Sequence, residues 1–280
     1  VYCMEKCVEN YFVLNEEIKD KKIFDGNFVE NGKSLYEVIR IIDGIPLFLG
    51  NHIKRLENSF KIEKLSFPVS LDNIKQNIFK LIEANKCEVG NVKLVFNYFE
   101  NKCDFYVYFV QYKYPDEYDY INGVKTILYH GERSNPNAKV INLNFRKNVD
   151  EKIKEKGVFE AILVDRNGNI TEGSKSNIFM VKSNTVYTAP VEDVLPGITR
   201  EIIVEICKQC GYTVVDEKIN YKKIDQFEGL FISGTSPKVL PICQVDDVKF
   251  NSQGTEMIRN IRKAYDDYIS NYIKNFDSRS

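Results

Sequence analysis

The sequence predicts a two-domain protein of the α/β (α+β) class. Three observations carry that expectation. Short strand patterns alternate with amphipathic helical patterns along most of the chain, the 280 residues suffice for two ordinary domains, and one stretch without any apolar period divides them. The dividing stretch, 113–123, reads KYPDEYDYING, whose Pro, Asp, Asn and Gly are a linker composition. Residues 1–112 are therefore expected to form a small N-terminal α/β domain and 124–280 a larger C-terminal one.

Composition removes several function classes. The formal net charge of −1 supplies no basic field for nucleic acid or anionic lipid. No apolar run approaches the ~20 residues a membrane span requires, and no signal-peptide pattern opens the chain, so a cytoplasmic protein is expected. Seven cysteines, odd in number and without a short repeated spacing, read as reduced thiols rather than a disulfide framework or zinc site. With His52 and His130 the only histidines, metal catalysis and a histidine relay are not expected.

In chain order, the first ten residues carry no clear pattern, and Met4 reads as a candidate start. Residues 11–14 and 34–42 read as strands, and Asp43-Gly44 turns the chain into a third over 45–49. Tyr36, Val38 and Arg40 share one face of the second strand. A helix is expected over 51–65, where Ile53, Leu56 and Phe60 recur at helical spacing, Asn51 is placed to cap and Arg55 borders the buried face. A second helix over 71–84 and a strand pair, 91–99 and 104–112, complete the first domain. Beyond the linker come a strand over 124–129, an irregular loop over 131–138, then Lys139-Val140-Ile141, and a polar helix from about 144 to 156.

The stretch 157–179, GVFEAILVDRNGNITEGSKSNIF, holds the densest information. Its apolar run to Val164, broken only by Glu160, reads as a buried strand, and Asn167-Gly168-Asn169 suits a tight turn. Thr171-Glu172-Gly173-Ser174 then places a carboxylate beside glycine and hydroxyl groups, ahead of a strand over 177–181. A carboxylate in so apolar a hairpin needs a partner, either water at a capped turn or a buried group. Further on, Leu195-Pro196-Gly197-Ile198-Thr199-Arg200 opens a helix running to Cys210, whose first N–H groups suit an anion. A strand over 230–233 runs into Gly234-Thr235-Ser236-Pro237, a loop able to cradle oxygen atoms, and a helix over 255–273 closes the chain.

A lysine after a loop, a hairpin glutamate, a helix N-terminus and a hydroxyl loop, in that order, form a set. The sequence resembles the class IV aminotransferases, the fold-type IV enzymes of pyridoxal phosphate. The motifs are His52-Ile53-Lys54-Arg55-Leu56, Lys139 with Asn142, the 157–163 strand, Thr171 through Ser174 with Ser176-Asn177, 195–200, and 233–236. The resemblance covers the chain from about Tyr11 onward. It implies a small α/β domain plus a larger pseudo-barrel α/β domain carrying the cofactor lysine, and a homodimer.

What the resemblance implies for the site has a chemical logic. Lys139 would hold pyridoxal 5'-phosphate as an aldimine and move the proton at the substrate Cα, for which its amine must be partly deprotonated by apolar and cationic neighbours. Glu172 would keep the pyridine nitrogen protonated, so that the ring accepts electrons. Arg55, the N–H groups of Ile198 and Thr199 after Gly197, and Thr235 would receive the phosphate, with Leu195 against the ring and Ser176 and Asn177 nearby. Tyr36, Val38, Arg40, Lys175, Gly234 and Ser236 are the expected substrate contacts, with Arg40 or Lys175 supplying a cation for a carboxylate.

Substrate is less sharply written. Tyr36-Glu37-Val38 looks like the D-amino-acid subgroup, yet the Arg-x-His pair by which that subgroup holds the α-carboxylate is missing from Asn97 to Cys103. An aminotransferase for a branched-chain or other apolar L-amino acid, with a 2-oxo acid as acceptor, is the favoured reading. The alternatives are a 4-amino-4-deoxychorismate lyase, a D-amino-acid aminotransferase and, more remotely, a non-catalytic ligand-binding protein.

Overall fold

The computed structural model describes residues 5–276; Met4, the candidate start, lies outside them. The chain divides into two compact units. One comprises residues 5–113, 138–143 and 271–276; the other comprises 114–137 and 144–270.

The first unit is a six-stranded antiparallel sheet covered on one face by two helices. Its elements are β1 (Tyr11–Leu14), β2 (Glu17–Asp20), β3 (Lys33–Ile42), β4 (Ile45–Pro46), α1 (Leu49–Ile62), α2 (Leu71–Asn85), β5 (Gly90–Phe99) and β6 (Lys102–Val110). The sheet order is β2-β1-β6-β5-β3-β4. Strand alternation sorts its side chains: Leu35, Ile39 and Ile41 join Val92, Leu94 and Phe96 against Leu56 and Phe60 of α1 and Ile74 and Ile78 of α2. Tyr36, Val38 and Arg40 fall on the other face, as their spacing predicts.

Two local expectations change. The strand foreseen over 45–49 stops at Pro46, which cannot donate to a ladder, and Phe48 takes a left-handed conformation that starts α1 at once. Asn51 therefore lies inside the helix rather than at its cap, and α1 begins without any side-chain cap. By contrast Ser70 caps α2 by accepting the Asn73 N–H.

The second unit contains α3 (Glu117–Asn122), β7 (Val124–His130), α4 (Leu143–Lys156), β8 (Glu160–Val164), β9 (Asn169–Gly173), β10 (Asn177–Lys182), β11 (Thr185–Thr188), α5 (Ile198–Gln209), β12 (Thr213–Asp216), β13 (Ile219–Asn220), β14 (Gly229–Gly234), β15 (Lys238–Val245), β16 (Val248–Lys249) and most of α6 (Glu256–Lys274). Its ten-stranded sheet runs β12-β11-β10-β14-β15-β7-β8-β9-β13, with β16 on β15; β7 is parallel to both its neighbours. Ile162, Ile178, Met180, Leu230, Ile232 and Leu240 supply a core of its own. Residues 113–123, read as a linker, hold α3, whose N-terminus is closed by a reciprocal pair of hydrogen bonds between Asp116 and Asp119.

The segment 138–143 departs from the expected division. It follows the irregular loop of the second unit, yet it groups with the first because Val140 bridges Leu35, Tyr36 N–H donates to Lys139 O at 3.1 Å and Ile141 N–H donates to Ser34 O at 3.0 Å. Lys139 is thus fixed by the N-terminal sheet, not by the larger unit assigned to it from sequence.

Candidate active site

In the first unit, β3 offers chemistry on both faces. On the helix side Glu37 is fully buried, and a lone carboxylate there would be costly. Two residues of α1 answer it. Arg55 donates from Nε at 2.8 Å to one oxygen and from Nη2 at 2.6 Å to the other, and the His52 Nδ1 lies 2.8 Å from Oε2. Burial pushes the Glu37 carboxyl up, but the Arg55 charge, its hydrogen bonds and that of His52 win, and hold it well below the carboxylate range. Burial and the neighbouring cations push the His52 imidazole down, so it stays neutral and donates from Nδ1. Arg55, expected at the border of the buried face, is thus buried as the partner of Glu37. Its Nε–Nη2 edge belongs to Glu37.

Lys139 lies beside β3 and is placed there by its backbone. Its N–H donates to the Ser59 hydroxyl at 3.1 Å and its carbonyl accepts from Tyr36. The ammonium lies 4.7 Å from the centre of the Tyr36 ring. Lys139 and Tyr36 are thus brought together, with Val38 and Arg40 further along the same face of β3.

In the second unit Glu172 lies on β9, buried at 3% exposure, and does not face water. Its Oε2 accepts the Leu195 N–H at 3.1 Å, and Arg133 stands 3.6 Å from Oε1. Asn177 donates to the Leu195 carbonyl at 3.0 Å, so both ends of one peptide segment are held, by Glu172 and by Asn177. Gly197 follows at close quarters: a Cβ there would sit 2.0 Å from Asn177 Oδ1. α5 then starts at Ile198 with no side-chain cap, its first N–H groups oriented as a cluster of donors at the positive end of a 12-residue helix. Thr199 is buried and its hydroxyl accepts from Tyr265 at 3.4 Å.

The residues after Glu172 have their own support. Glu160 accepts the N–H groups of Ala161 and Lys175 and the hydroxyls of Ser174 and Ser176. Arg146 of α4 donates to Ser174 and to Asp150. Lys175 is 65% exposed and pairs with Asp150 at 3.2 Å. Gly234 ends β14 opposite Lys238, and Thr235, Ser236 and Pro237 form the tight turn to β15. Among the described residues no cluster of three or more His, Cys, Asp or Glu is placed to hold a metal ion, and no helix is long and apolar enough to cross a membrane.

Arg133, Arg146 and the buried partnership of Glu37 with His52 escape a reading by pattern. Arg133 lies in the loop before Lys139, where neither periodicity nor turn chemistry constrains a side chain. Glu160 gave a signal, as the single charge in an apolar strand.

A family model described as amino-transferase class IV matches residues 34–245. The chain belongs to the class IV aminotransferases. Among relatives of this enzyme, a D-alanine aminotransferase of Bacillus licheniformis is 28% identical over 250 residues, 85% of this chain and 88% of that one. An aminodeoxychorismate lyase of Bacillus subtilis (strain 168) is 24% identical over 269 residues, 89% and 90% of the two chains. A branched-chain amino acid aminotransferase from Escherichia coli superposes with a TM-score of 0.81 at 21% identity, covering 93% of this chain and 94% of that one. The fold is therefore that of the fold-type IV aminotransferases.

Proposed function

We propose that this class IV enzyme is a pyridoxal-phosphate-dependent aminotransferase moving an amino group between an apolar L-amino acid, branched-chain ones included, and a 2-oxo acid. The carrying observation is Glu172: a buried carboxylate, anchored through one oxygen by a backbone N–H, in a chain of this family. Such an anion favours a protonated pyridine nitrogen as its partner.

The residues present fit that group. The uncapped start of α5 offers the N–H groups of Ile198 and Thr199 to a phosphate, while Gly197 keeps the approach clear of a Cβ. Arg55 and Thr235 would add donors, and Leu195, fixed at both its N–H and its carbonyl, would pack against the ring with Ser176 and Asn177 behind it. When bound, pyridoxal phosphate supplies an electron sink for charge developing at the substrate Cα. Lys139 Nζ would hold the group covalently and take up the proton leaving Cα, and Tyr36 orients that nitrogen through its ring face. Tyr36, Val38 and Arg40 would line the substrate side, with Gly234 and Ser236 as further contacts. Arg40 is the stronger candidate for the substrate carboxylate; Lys175, exposed and paired with Asp150, is the weaker one. We expect a cytoplasmic homodimer.

A lyase reading draws on the Bacillus subtilis relative, and a D-amino-acid reading on the Bacillus licheniformis one. One experiment separates the three. The protein incubated with pyridoxal phosphate should gain a visible absorption band that Lys139→Ala lacks, and should then transaminate leucine or valine faster than D-alanine while leaving aminodeoxychorismate intact. A band that persists in Lys139→Ala would overturn the assignment of the lysine; release of pyruvate from aminodeoxychorismate would establish the lyase instead.

A further inference from the structure

The face of the six-stranded sheet that carries Tyr36 and Lys139 also carries a second lysine, and that one is neutralised from within the chain. Lys93 of β5 stands opposite Val38 in the β3–β5 register. Its ammonium lies 4.7 Å from the centre of the Tyr36 ring, against which the Lys139 ammonium also rests at 4.7 Å. A nearly buried cation that shares the Tyr36 ring with the reactive amine, on the strand face read as the substrate side, is a ready receptor for a carboxylate.

That receptor is occupied by Glu5. Its Oε1 pairs with Lys93, and its Oε2 accepts the Tyr108 hydroxyl at 2.7 Å. The side chains of Lys93 and Glu5 are only 11% and 14% exposed, and Tyr108 is fully buried, its phenol pushed up by burial so that it remains a donor. Glu5 is also held by its backbone. Its N–H donates to Gly26 O at 3.2 Å, and the two segments run so close that a Cβ on Gly26 would meet the Glu5 carbonyl oxygen at 1.9 Å. Cys7, two residues on, packs with Phe12, Val95 and Tyr108.

We propose that Glu5 is a specificity-determining residue: its carboxylate takes the Lys93–Tyr108 anion position at the Tyr36 ring, which Lys139 also touches, so that substrates with a second carboxylate are refused and monocarboxylic amino and 2-oxo acids are accepted. The inference rests on the aminotransferase reading above and narrows its substrate class. An intramolecular carboxylate, ordered once at folding, out-competes a dissolved one through its effective concentration. A second carboxylate brought to the same ammonium would meet the charge of the first.

Glu5→Gln keeps the size of the side chain and can still accept from Tyr108 through its amide oxygen, but it leaves the Lys93 charge available. The probes are two unreactive acids, glutarate with two carboxylates and isovalerate with one, titrated by calorimetry into the wild type, Glu5→Gln and the double variant Glu5→Gln/Lys93→Met. The affinity ratio of glutarate to isovalerate should rise about tenfold in Glu5→Gln, the scale of one added charge-assisted pair, and return to the wild-type value in the double variant. In turnover, the Michaelis constant for 2-oxoglutarate, taken relative to the one for pyruvate, should fall about as much. An unchanged ratio overturns the proposal, as does an equal rise for both acids, which would mark general loosening. Should no amino acid be turned over at all, the aminotransferase reading falls, while the glutarate titration still decides the role of Glu5.

Discussion

Glu37 occupies a position where strand alternation asks for an apolar side chain, and its two partners on α1 make that tolerable. Removing it would deprive the Arg55 guanidinium, 8% exposed, of its buried carboxylate, so Glu37→Leu should cost about 3–5 kcal/mol of stability, whereas replacing the whole cluster by apolar groups need not. The pH dependence follows from the two shifts. His52 titrates below its usual 6.5 in the folded protein, so the unfolded chain binds the extra proton first, and stability falls as pH drops below about 6.5. Glu37, depressed below 4.5, contributes stability that is fully present above that value and is lost only further into acid. The urea midpoint should be flat from pH 8 to 7 and decline from about 6.5 to 5, and His52→Asn, which keeps a donor to Glu37 but does not titrate, should flatten that decline. A single side chain also tests the site of the second unit. Glu172→Gln keeps the hydrogen bond to Leu195 but cannot hold a ring nitrogen protonated; it should retain the visible band with pyridoxal phosphate and lose about 100-fold or more in turnover.

At the scale of an element, the start of α5 shows how backbone closeness substitutes for a cap. Asn177 on β10 reaches the Leu195 carbonyl, and its Oδ1 fills the space a side chain on Gly197 would need. Gly197→Ala must push Asn177 aside and should lower the unfolding free energy by about 1–3 kcal/mol in urea titration, with the loss concentrated in probes of the second unit. The elements themselves were largely legible: the strand alternation of β3, the periods of α1 and α2 and the Gly168 turn, where φ is +80°, all follow from local sequence. Their ends were less so. The turn before β9 is fixed by the Asp165 carboxylate, which accepts the N–H groups of Asn167 and Asn169 at 2.8 Å each, and it makes Asn169–Gly173 a strand of its own. Thr171 and Glu172 thereby lie buried on opposite faces of a ladder.

Across the whole molecule, the legible part was the set of motifs, and the illegible part was the long-range pairing. Lys139, Glu172, Leu195, Asn177 and Arg55 stand out through the motifs of the resemblance, but no periodicity says that Glu5 meets Lys93 88 residues away or that Arg133 lies beside Glu172. The same applies to the division of the chain. A composition shift marks a boundary near 113, yet the return of 138–143 to the first sheet depends on a bridge between Leu35 and Val140 that only the fold creates. That bridge has an evolutionary corollary. Because Lys139 is moored to an early strand and not to the irregular stretch preceding it, changes of chain length between Arg133 and Asn137 would leave its place on that strand undisturbed, and descendants of this gene could vary in length there.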